Sequence, residues 1–280
     1  MSIVPTLQLN DGHHIPQFGL GTWLTPPDAV LPAINAALAC GYRAIDTASI
    51  YNNEAAIGEA LRDSGIPRSQ IYLTTKVWNT DQGFDSTLRA FDESLAKLGT
   101  DHADLYLVHW PIAMHGKYLD TWKALVRLRA EGRARSIGVS NFQIEHLKRV
   151  IGETGVVPAV NQIELHPDFT QDALRAFHAR HGILTESWSP LAQGKVLLTS
   201  PVVQKVAAKH QRTPAQVILR WHIDLGLVVI PKSITPARIR ENFDIWGFKL
   251  DSNDLAELAT LDADNRIGPD PDKFDMITRG

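Results

Sequence analysis

Residues 71–139 have the sequence IYLTTKVWNTDQGFDSTLRAFDESLAKLGTDHADLYLVHWPIAMHGKYLDTWKALVRLRAEGRARSIGV. Three short apolar and β-branched runs alternate in this stretch with two longer segments of helical periodicity. The short runs are Ile71 to Thr75, Leu105 to His109 and Ser136 to Val139, and the helical segments are Phe84 to Leu98 and Tyr118 to Ala130. This alternation predicts parallel strands that are joined by crossover helices.

The same alternation continues on both sides of this stretch. Further strand-like runs are Phe18 to Gly21, Ala44-Ile45, Ala159 to Ile163, Ile183 to Glu186 and Leu227 to Ile230, and further helical segments are Ala29 to Ala39 and Asp172 to His181. Eight such units in 280 residues fit one closed (β/α)8 TIM-barrel domain, residues 1–280, better than an open sheet. No Gly-x-Gly-x-x-Gly motif follows a strand, which argues against the doubly wound dinucleotide-binding fold.

Both ends of the chain depart from the alternation. Thr6 to Leu9 and His14 to Pro16, joined by Asn10-Asp11-Gly12, predict a β-hairpin before the barrel. Asp251 to Leu261 predicts an extra C-terminal helix, which is followed by a polar tail rich in Asp and Pro.

The composition excludes several classes of protein. The chain has 28 Lys and Arg against 31 Asp and Glu, which gives a net charge of −3. A nucleic-acid-binding protein would be expected to carry an excess of basic residues. The one cysteine, Cys40, allows no disulfide within the chain and fits a reducing compartment. No secretory signal or run of membrane-spanning length is visible. We therefore expect a cytoplasmic protein, by default a monomer, that binds neither nucleic acid nor membrane.

Reactive side chains gather at one rim of the predicted barrel. Barrel enzymes carry their chemistry at the carboxyl ends of the strands. The residues that end or follow strands here are Asp46, Lys76, His109, Glu186, Trp188 and Lys232.

Tyr51 follows Asp46 by five residues and completes a possible proton-donating group. The ammonium of Lys76 would lower the pKa of the Tyr51 phenol, and Asp46 would hold that ammonium. His109 could then hydrogen-bond a substrate oxygen. Such a group suits proton donation to a carbonyl oxygen while a hydride reaches its carbon, and the hydride would have to come from a cofactor. Each residue taken singly also has an ordinary structural explanation as packing, an ion pair or a solvated charge.

Six ordered blocks of sequence resemble those of the aldo-keto reductase family, most closely the bacterial branch that contains the 2,5-diketo-D-gluconate reductases. The blocks are Gly41 to Gly58 (GYRAIDTASIYNNEAAIG), Thr74 to Trp78, Asp104 to Pro111, Gly138 to Phe142, Asn161 to Pro167 and Ile230 to Ser233. The resemblance implies a (β/α)8 barrel with a bottom hairpin. It also implies that Tyr51 donates the proton, that Asp46 and Lys76 adjust the pKa of Tyr51, and that His109 orients the carbonyl.

The resemblance further implies a binding site for NADPH. Its residues would be Gly21, Thr22, Ser140, Asn141, Gln162, Trp188, Ser189, Leu191, Gln193, Gly194, Lys195, Ile230, Lys232, Ser233, Arg238, Glu241 and Asn242. The amide and hydroxyl groups at positions 140, 141 and 162 would hold the nicotinamide carboxamide, on whose ring the indole at 188 would stack. The loop 189–195 would cover the pyrophosphate. The groups at 232, 233 and 238 would bind the 2′-phosphate, which favours NADPH over NADH, and those at 241 and 242 would contact adenine.

Four apolar side chains would form the wall of the substrate pocket, namely Trp23, Ile50, Trp78 and Trp110. They favour a flat or hydrophobic carbonyl compound. Because the tail from Asp262 to Gly280 is short, we expect an open site with broad specificity.

The function expected from these features is NADPH-dependent reduction of aldehydes and ketones to alcohols. A second hypothesis is a nucleotide-binding regulatory subunit that uses the same fold for sensing. A metal hydrolase is a third, although no His-x-His with a carboxylate partner follows a strand, and we predict no metal site.

Overall fold

A computed structural model describes residues 4–194 and 196–278 of the chain. The strands are β1 (Thr6–Gln8), β2 (His14–Pro16), β3 (Gly19–Gly21), β4 (Ala44–Asp46), β5 (Tyr72–Val77), β6 (Ala103–Val108), β7 (Ala134–Ser140), β8 (Val160–Glu164), β9 (Leu184–Trp188) and β10 (Val228–Val229). The α-helices are α1 (Pro27–Cys40), α2 (Glu54–Asp63), α3 (Phe84–Leu98), α4 (Tyr118–Ala130), α5 (Ile144–Thr154), α6 (Asp172–His181), α7 (Pro201–His210), α8 (Pro214–Asp224), α9 (Pro236–Phe243) and α10 (Ser252–Ala259).

Strands β3 to β10 pair in sequential order in one parallel sheet. The sheet closes where its two edges meet, because Phe18 bridges Val229 and Gly21 bridges Lys232 in parallel. Strands β1 and β2 form a separate antiparallel hairpin, with Leu7 opposite Ile15. The predicted (β/α)8 barrel with an N-terminal hairpin is thereby confirmed.

Four predicted elements are shorter in the structure than in the sequence analysis. Strand β1 ends at Gln8 instead of Leu9, and β3 begins at Gly19 instead of Phe18. The last barrel strand covers Val228–Val229 instead of Leu227 to Ile230, since Pro231 follows and has no N–H to continue a ladder. The extra helix begins at Ser252 because Asp251 is its cap, and the Asp251 carboxylate accepts the backbone N–H groups of Asn253 and Asp254.

The interior of the barrel is apolar below and polar above. A buried cluster joins side chains of non-adjacent strands, which can meet only inside the barrel, with the hairpin beneath them: Leu9, Ile15, Leu105, Leu107, Val160 and Val228. Side chains two residues apart on a strand share a face, and Lys76, Gln162 and Glu186 point inward at the upper level, where all three are buried. The barrel thus places polar groups in a nearly water-free space beneath its mouth.

Among the helices of the described ranges, none combines the length and the apolar character that crossing a membrane requires.

Candidate active site

A buried ion pair lies at the centre of the barrel mouth. Strands β4 and β5 pair so that Asp46 lies opposite Thr74, which brings Lys76, two residues further along, next to the Asp46 carboxylate. Lys76 Nζ donates to Asp46 Oδ1 at 2.6 Å and to the carbonyl oxygen of Thr47 at 2.9 Å. Burial lowers the pKa of the Lys76 ammonium, but Asp46 and Tyr51 raise it by more, and the net shift is upward. Lys76 is therefore a fixed cation despite having no exposed surface.

Tyr51 ends a short 3-10 helix above this ion pair, with Lys76 Nζ 5.2 Å from the centroid of its ring. Burial raises the pKa of the Tyr51 phenol, the charge of Lys76 lowers it, and the charge of Asp46 raises it; the net shift is upward. The expected net lowering is therefore wrong for the ligand-free chain, because loss of hydration outweighs the ammonium. The phenol keeps its proton and is available as an acid.

His109 follows β6 and lies beside the Tyr51 ring, at 5.7 Å between ring centroids in an edge-to-face arrangement. Burial lowers the pKa of the imidazole well below its usual value, and the charge of Lys76 lowers it further. His109 is thus neutral and has one N–H to donate. Its Nδ1 is buried and has no partner within the described part of the chain.

Gln162 connects the ion pair with a second carboxyl group across the barrel. Its Nε2 donates to Asp46 Oδ2 at 2.8 Å and to Glu186 Oε2 at 2.9 Å. Burial and the charge of Asp46 raise the pKa of Glu186 to about 8. The sequence marked Glu186 only by its position at a strand end, and the resemblance implied no role for it.

The remaining groups expected at the nicotinamide form one hydrogen-bonded set. Ser140 Oγ donates to the carbonyl oxygen of Gln162, and Asn141 Nδ2 donates to the carbonyl oxygen of His109 and to Ser140 Oγ. Trp188 Nε1 in turn donates to Asn141 Oδ1 at 2.8 Å. These hydrogen bonds hold Ser140, Asn141 and Trp188 next to Gln162, although Trp188 lies far from the other two in the sequence.

The loop after β9 has an unusual backbone. Ser189, Ala192, Gln193 and Gly194 all have positive φ, between 47° and 69°. For the three residues other than glycine this costs about 1–3 kcal/mol each and is typical of functional loops. Leu191 is half-buried and packs against the core. Lys195, predicted to bring positive charge here, lies outside the described residues.

The predicted phosphate and adenosine groups gather at the seam between β3 and β10. Gly21 approaches so closely that a Cβ there would lie 2.8 Å from the carbonyl oxygen of Ile230. Thr22 Oγ1 donates to the carbonyl oxygen of Asp46. On the other side of the seam, Ser233 is buried, and Lys232 and Arg238 are exposed with no ion-pair partner in the described part of the chain.

Helix α9 carries the last predicted cofactor residues. Arg238 is the third residue of this helix, where backbone N–H groups are unsatisfied and an anion is favoured. Glu241 is half-buried and Asn242 is buried one turn further along the helix. The exposed cations and the helix end together form a face that is open to a phosphate.

Three of the four predicted pocket residues come together. Trp78, Trp110 and Ile112 form a buried cluster, against which Ile50, Trp188 and Phe274 pack. Trp23 is not part of this cluster and lies on the surface with 48% of its area exposed. Ile112 and Phe274 were not predicted, since no local pattern distinguishes them from ordinary core residues.

The C-terminal tail lies on this wall instead of leaving it open. The Phe274 ring contacts that of Trp110 at 4.3 Å between centroids, and Trp78 Nε1 donates to the carbonyl oxygen of Thr278 at 3.0 Å. Asn79 Nδ2 donates to the carbonyl oxygen of Met276 at 2.8 Å. The expectation of an uncovered site is wrong, because Trp78, Asn79 and Trp110 supply contacts that the polar composition of the tail does not reveal.

Glu164 binds the first part of the C-terminal tail. Its carboxylate accepts the backbone N–H groups of Ile267 and Gly268, and it also contacts the buried His166 at 3.0 Å. A Cβ at position 268 would lie 2.5 Å from the Trp188 ring, so that only glycine fits there.

The residues at the mouth fit a nicotinamide nucleotide. Both Gln162 amide hydrogens are used, and no described residue donates to its Oε1, which can therefore accept from a carboxamide. Unpaired cations and a close glycine backbone suit phosphates. Within residues 4–194 and 196–278 no group of three or more His, Cys, Asp or Glu side chains is arranged to hold a metal ion.

Comparison with known proteins finds relatives over nearly the whole chain. The model of the aldo/keto reductase family matches residues 16–263. An aldo-keto reductase of Mycolicibacterium smegmatis is 55% identical over 272 residues, covering 97% of this chain and 98% of the relative. The methylglyoxal reductase DkgA of Escherichia coli is 51% identical over 269 residues, covering 96% and 97%. The crystal structure of a Gox0644 mutant in complex with NADPH superposes with a TM-score of 0.94, at 51% identity over 98% of this chain and 99% of that one.

Proposed function

Since this chain belongs to the aldo/keto reductase family, we propose that it reduces aldehydes and ketones to alcohols with NADPH and with Tyr51 as the proton donor. The observation that carries the proposal is the buried Asp46–Lys76 ion pair beneath a protonated Tyr51 and beside a neutral His109. This arrangement can hold a carbonyl oxygen and protonate it within one small volume.

His109, Tyr51 and Lys76 have separate roles in the reduction of the carbonyl group. The neutral imidazole of His109 donates a hydrogen bond that orients the carbonyl and stabilises the charge that develops on its oxygen. NADPH, when bound, supplies the hydride that reaches the carbonyl carbon. Tyr51 transfers its phenolic proton to the oxygen, which completes the alcohol, and a proton from solvent restores the phenol. Lys76 stabilises the phenolate between these two steps.

Three groups of residues would hold the cofactor. Ser140, Asn141 and Gln162 would bind the carboxamide, and the Trp188 ring would stack on the nicotinamide. The backbone of the loop 189–194, with Lys195, would cover the pyrophosphate, near Gly21, Thr22 and Ile230. Lys232, Ser233 and Arg238 would bind the 2′-phosphate, and Glu241 and Asn242 would contact adenine. The two exposed, unpaired cations support a cofactor that carries this phosphate.

The substrate class follows from the pocket wall and from the relatives. Indole and aliphatic groups form the wall, which favours apolar or flat carbonyl compounds over polyhydroxylated ones. The Escherichia coli relative is named a methylglyoxal reductase, so small dicarbonyl compounds belong in the test panel beside aromatic aldehydes.

The test compares Tyr51→Phe with the wild-type chain across that panel, following NADPH absorbance. Loss of the general acid lowers kcat by about 10²–10⁴-fold, while the Kd for NADPH, measured by quenching of protein fluorescence, stays the same. Tyr118→Phe is the matched control, since that hydroxyl lies on α4 next to Arg149. Full activity of Tyr51→Phe would show that another group donates the proton. Tight NADPH binding without turnover of any carbonyl by the wild type would favour the sensing hypothesis.

A further inference from the structure

Glu186 lies inside the barrel next to Gln162, and the proposed function assigns it no role. It is inward-facing on β9, opposite Gln162 of β8 and Val228 of β10, and only 2% of its surface is exposed. Its Oε2 accepts one Gln162 amide hydrogen, and Asp46 Oδ2 accepts the other. The chain of contacts therefore runs from Tyr51 through Lys76, Asp46 and Gln162 to Glu186.

We propose that Glu186 is a positioning residue of the reductase, which holds the Gln162 amide with its nitrogen toward Asp46 and its oxygen toward the mouth. This inference rests on the proposed function. An amide whose two hydrogens both have fixed acceptors has one orientation. That orientation presents Oε1 to a carboxamide and keeps Asp46 directed at Lys76.

The charges around Glu186 determine the form in which it acts. The groups that face it are Asp46 of β4, Lys76 of β5 and the phenol of Tyr72 of β5. Burial raises the pKa of the Tyr72 phenol, and the charge of Glu186 raises it further. The one cation in this set already pairs with Asp46. A second carboxylate would be buried without a counter-ion, and the raised pKa of Glu186 reflects this cost. At neutral pH the site therefore contains one ion pair and one neutral acid.

Two substitutions separate the hydrogen-bond acceptor from the charge. Glu186→Gln keeps a neutral acceptor of nearly the same shape, so its kcat and its Kd for NADP⁺ stay within about threefold of wild type at neutral pH. Glu186→Met keeps the volume and removes the acceptor, so kcat falls and the Kd rises, each by about tenfold, the equivalent of one net hydrogen bond. Ser187→Ala is the control on the same strand, since that side chain is buried, faces away from the interior and has no partner among the described residues.

Thermal unfolding distinguishes positioning from support of the fold. A carboxyl group whose folded pKa is raised from 4.5 to about 8 destabilises the protein increasingly as pH rises through that interval, because the folded state holds a proton that the unfolded state releases. The Tm of Glu186→Gln should therefore exceed that of wild type by a margin that grows from pH 4.5 to 8. Glu186→Met should combine lower activity with an unchanged or higher Tm, the opposite of what a merely structural residue shows.

Infrared spectroscopy of the ligand-free chain tests the protonation of Glu186 without catalysis. The difference spectrum of wild type minus Glu186→Gln should show the carbonyl stretch of a protonated carboxylic acid below pH 8 and lose it above. Activity and NADP⁺ affinity of Glu186→Met equal to wild type would overturn the proposal. So would a Glu186→Gln variant that loses activity at neutral pH, and this result decides even if Glu186→Met does not fold. Full activity of Tyr51→Phe, by contrast, would contradict the proposed function and leave the infrared result unchanged.

Discussion

Lys76 and Lys232 lie on the same rim of the barrel, and their surroundings are opposite. Lys76 is fully buried, pairs with Asp46 at 2.6 Å and has a raised pKa. Lys232 is exposed, makes one hydrogen bond of 3.4 Å to the carbonyl oxygen of Leu24, and has a pKa that partial burial lowers. One lysine is held by the fold, and the other is available to a ligand.

The difference extends to the neighbours of each lysine. Around Lys76, the side chains of Asp46, Gln162 and Glu186 are linked by hydrogen bonds that connect three strands. Around Lys232, the exposed Arg238 has no ion pair in the described ranges. The half around Lys76 is therefore organised before any ligand arrives, whereas binding energy from an anion would organise the half around Lys232.

The largest expected effect follows from breaking the buried pair. Lys76→Met leaves the Asp46 carboxylate buried without a counter-ion, which lowers the free energy of unfolding by about 3–5 kcal/mol and abolishes carbonyl reduction. Lys232→Met changes the same free energy by no more than about 0.5 kcal/mol. Urea unfolding measures both.

A double variant sharpens this comparison. Asp46→Asn combined with Lys76→Met removes the unpaired charge, so it should recover much of the lost stability while remaining inactive. Equal losses of stability in Lys76→Met and Lys232→Met would contradict the contrast between the two halves.

The next effect concerns the exposed cations. Arg238→Ala should raise the Kd for NADPH by about 10–100-fold, since a hydrogen bond to a charged group contributes about 1.5–3 kcal/mol, and should leave the Kd for NADH unchanged. Arg240→Ala, an exposed arginine on the same helix, is the control. Isothermal titration with both cofactors would refute this assignment if NADPH and NADH affinities fell together.

A smaller effect is expected at the tail. Phe274→Ala removes the ring that packs on Trp110, and aromatic pairs contribute about 0.5–1.5 kcal/mol. The KM for aromatic aldehydes should rise by up to about tenfold, with no change in the Kd for NADPH. Met276→Ala is the matched control, because the Met276 side chain is exposed and Asn79 is bound by the Met276 carbonyl oxygen, which the substitution keeps. An unchanged KM in Phe274→Ala would mean that substrates do not reach the tail.

The smallest expected effect is that of pH on the KM for an uncharged aldehyde. Burial keeps the pKa of His109 well below its usual 6.5, so the imidazole stays neutral as pH falls from 8 through 6.5. The KM for an uncharged aldehyde should therefore not change across that interval. Steady-state kinetics that showed a step in KM near 6.5 would indicate an imidazole with ordinary hydration.

Most of the fold, and the gathering of Asp46, Lys76 and His109 at one rim, could be predicted without tertiary information. Helices α3, α4 and α6 begin and end at the predicted residues, since the helical periodicity of a segment depends on its own sequence. The strand ends likewise brought Asp46, Lys76 and His109 to one rim, because parallel strands in a closed barrel share the direction of their carboxyl ends.

Other features depend on contacts that no local pattern encodes. The tail reaches Trp78 from 200 residues further along the chain, and Gln162 reaches Asp46 from 116 residues away. The sequence likewise could not show that Trp23 is exposed and Trp78 is buried, because both tryptophans follow strands.

The sequence by itself determined which groups could react, because residue type and strand position decide what chemistry is present at the rim. Only the tertiary structure decided their protonation. Closure of the barrel removes water from Tyr51 and Glu186, and this loss of hydration raises both pKa values despite the nearby Lys76. Hydration depends on everything packed around a group, and a linear sequence does not specify that packing residue by residue.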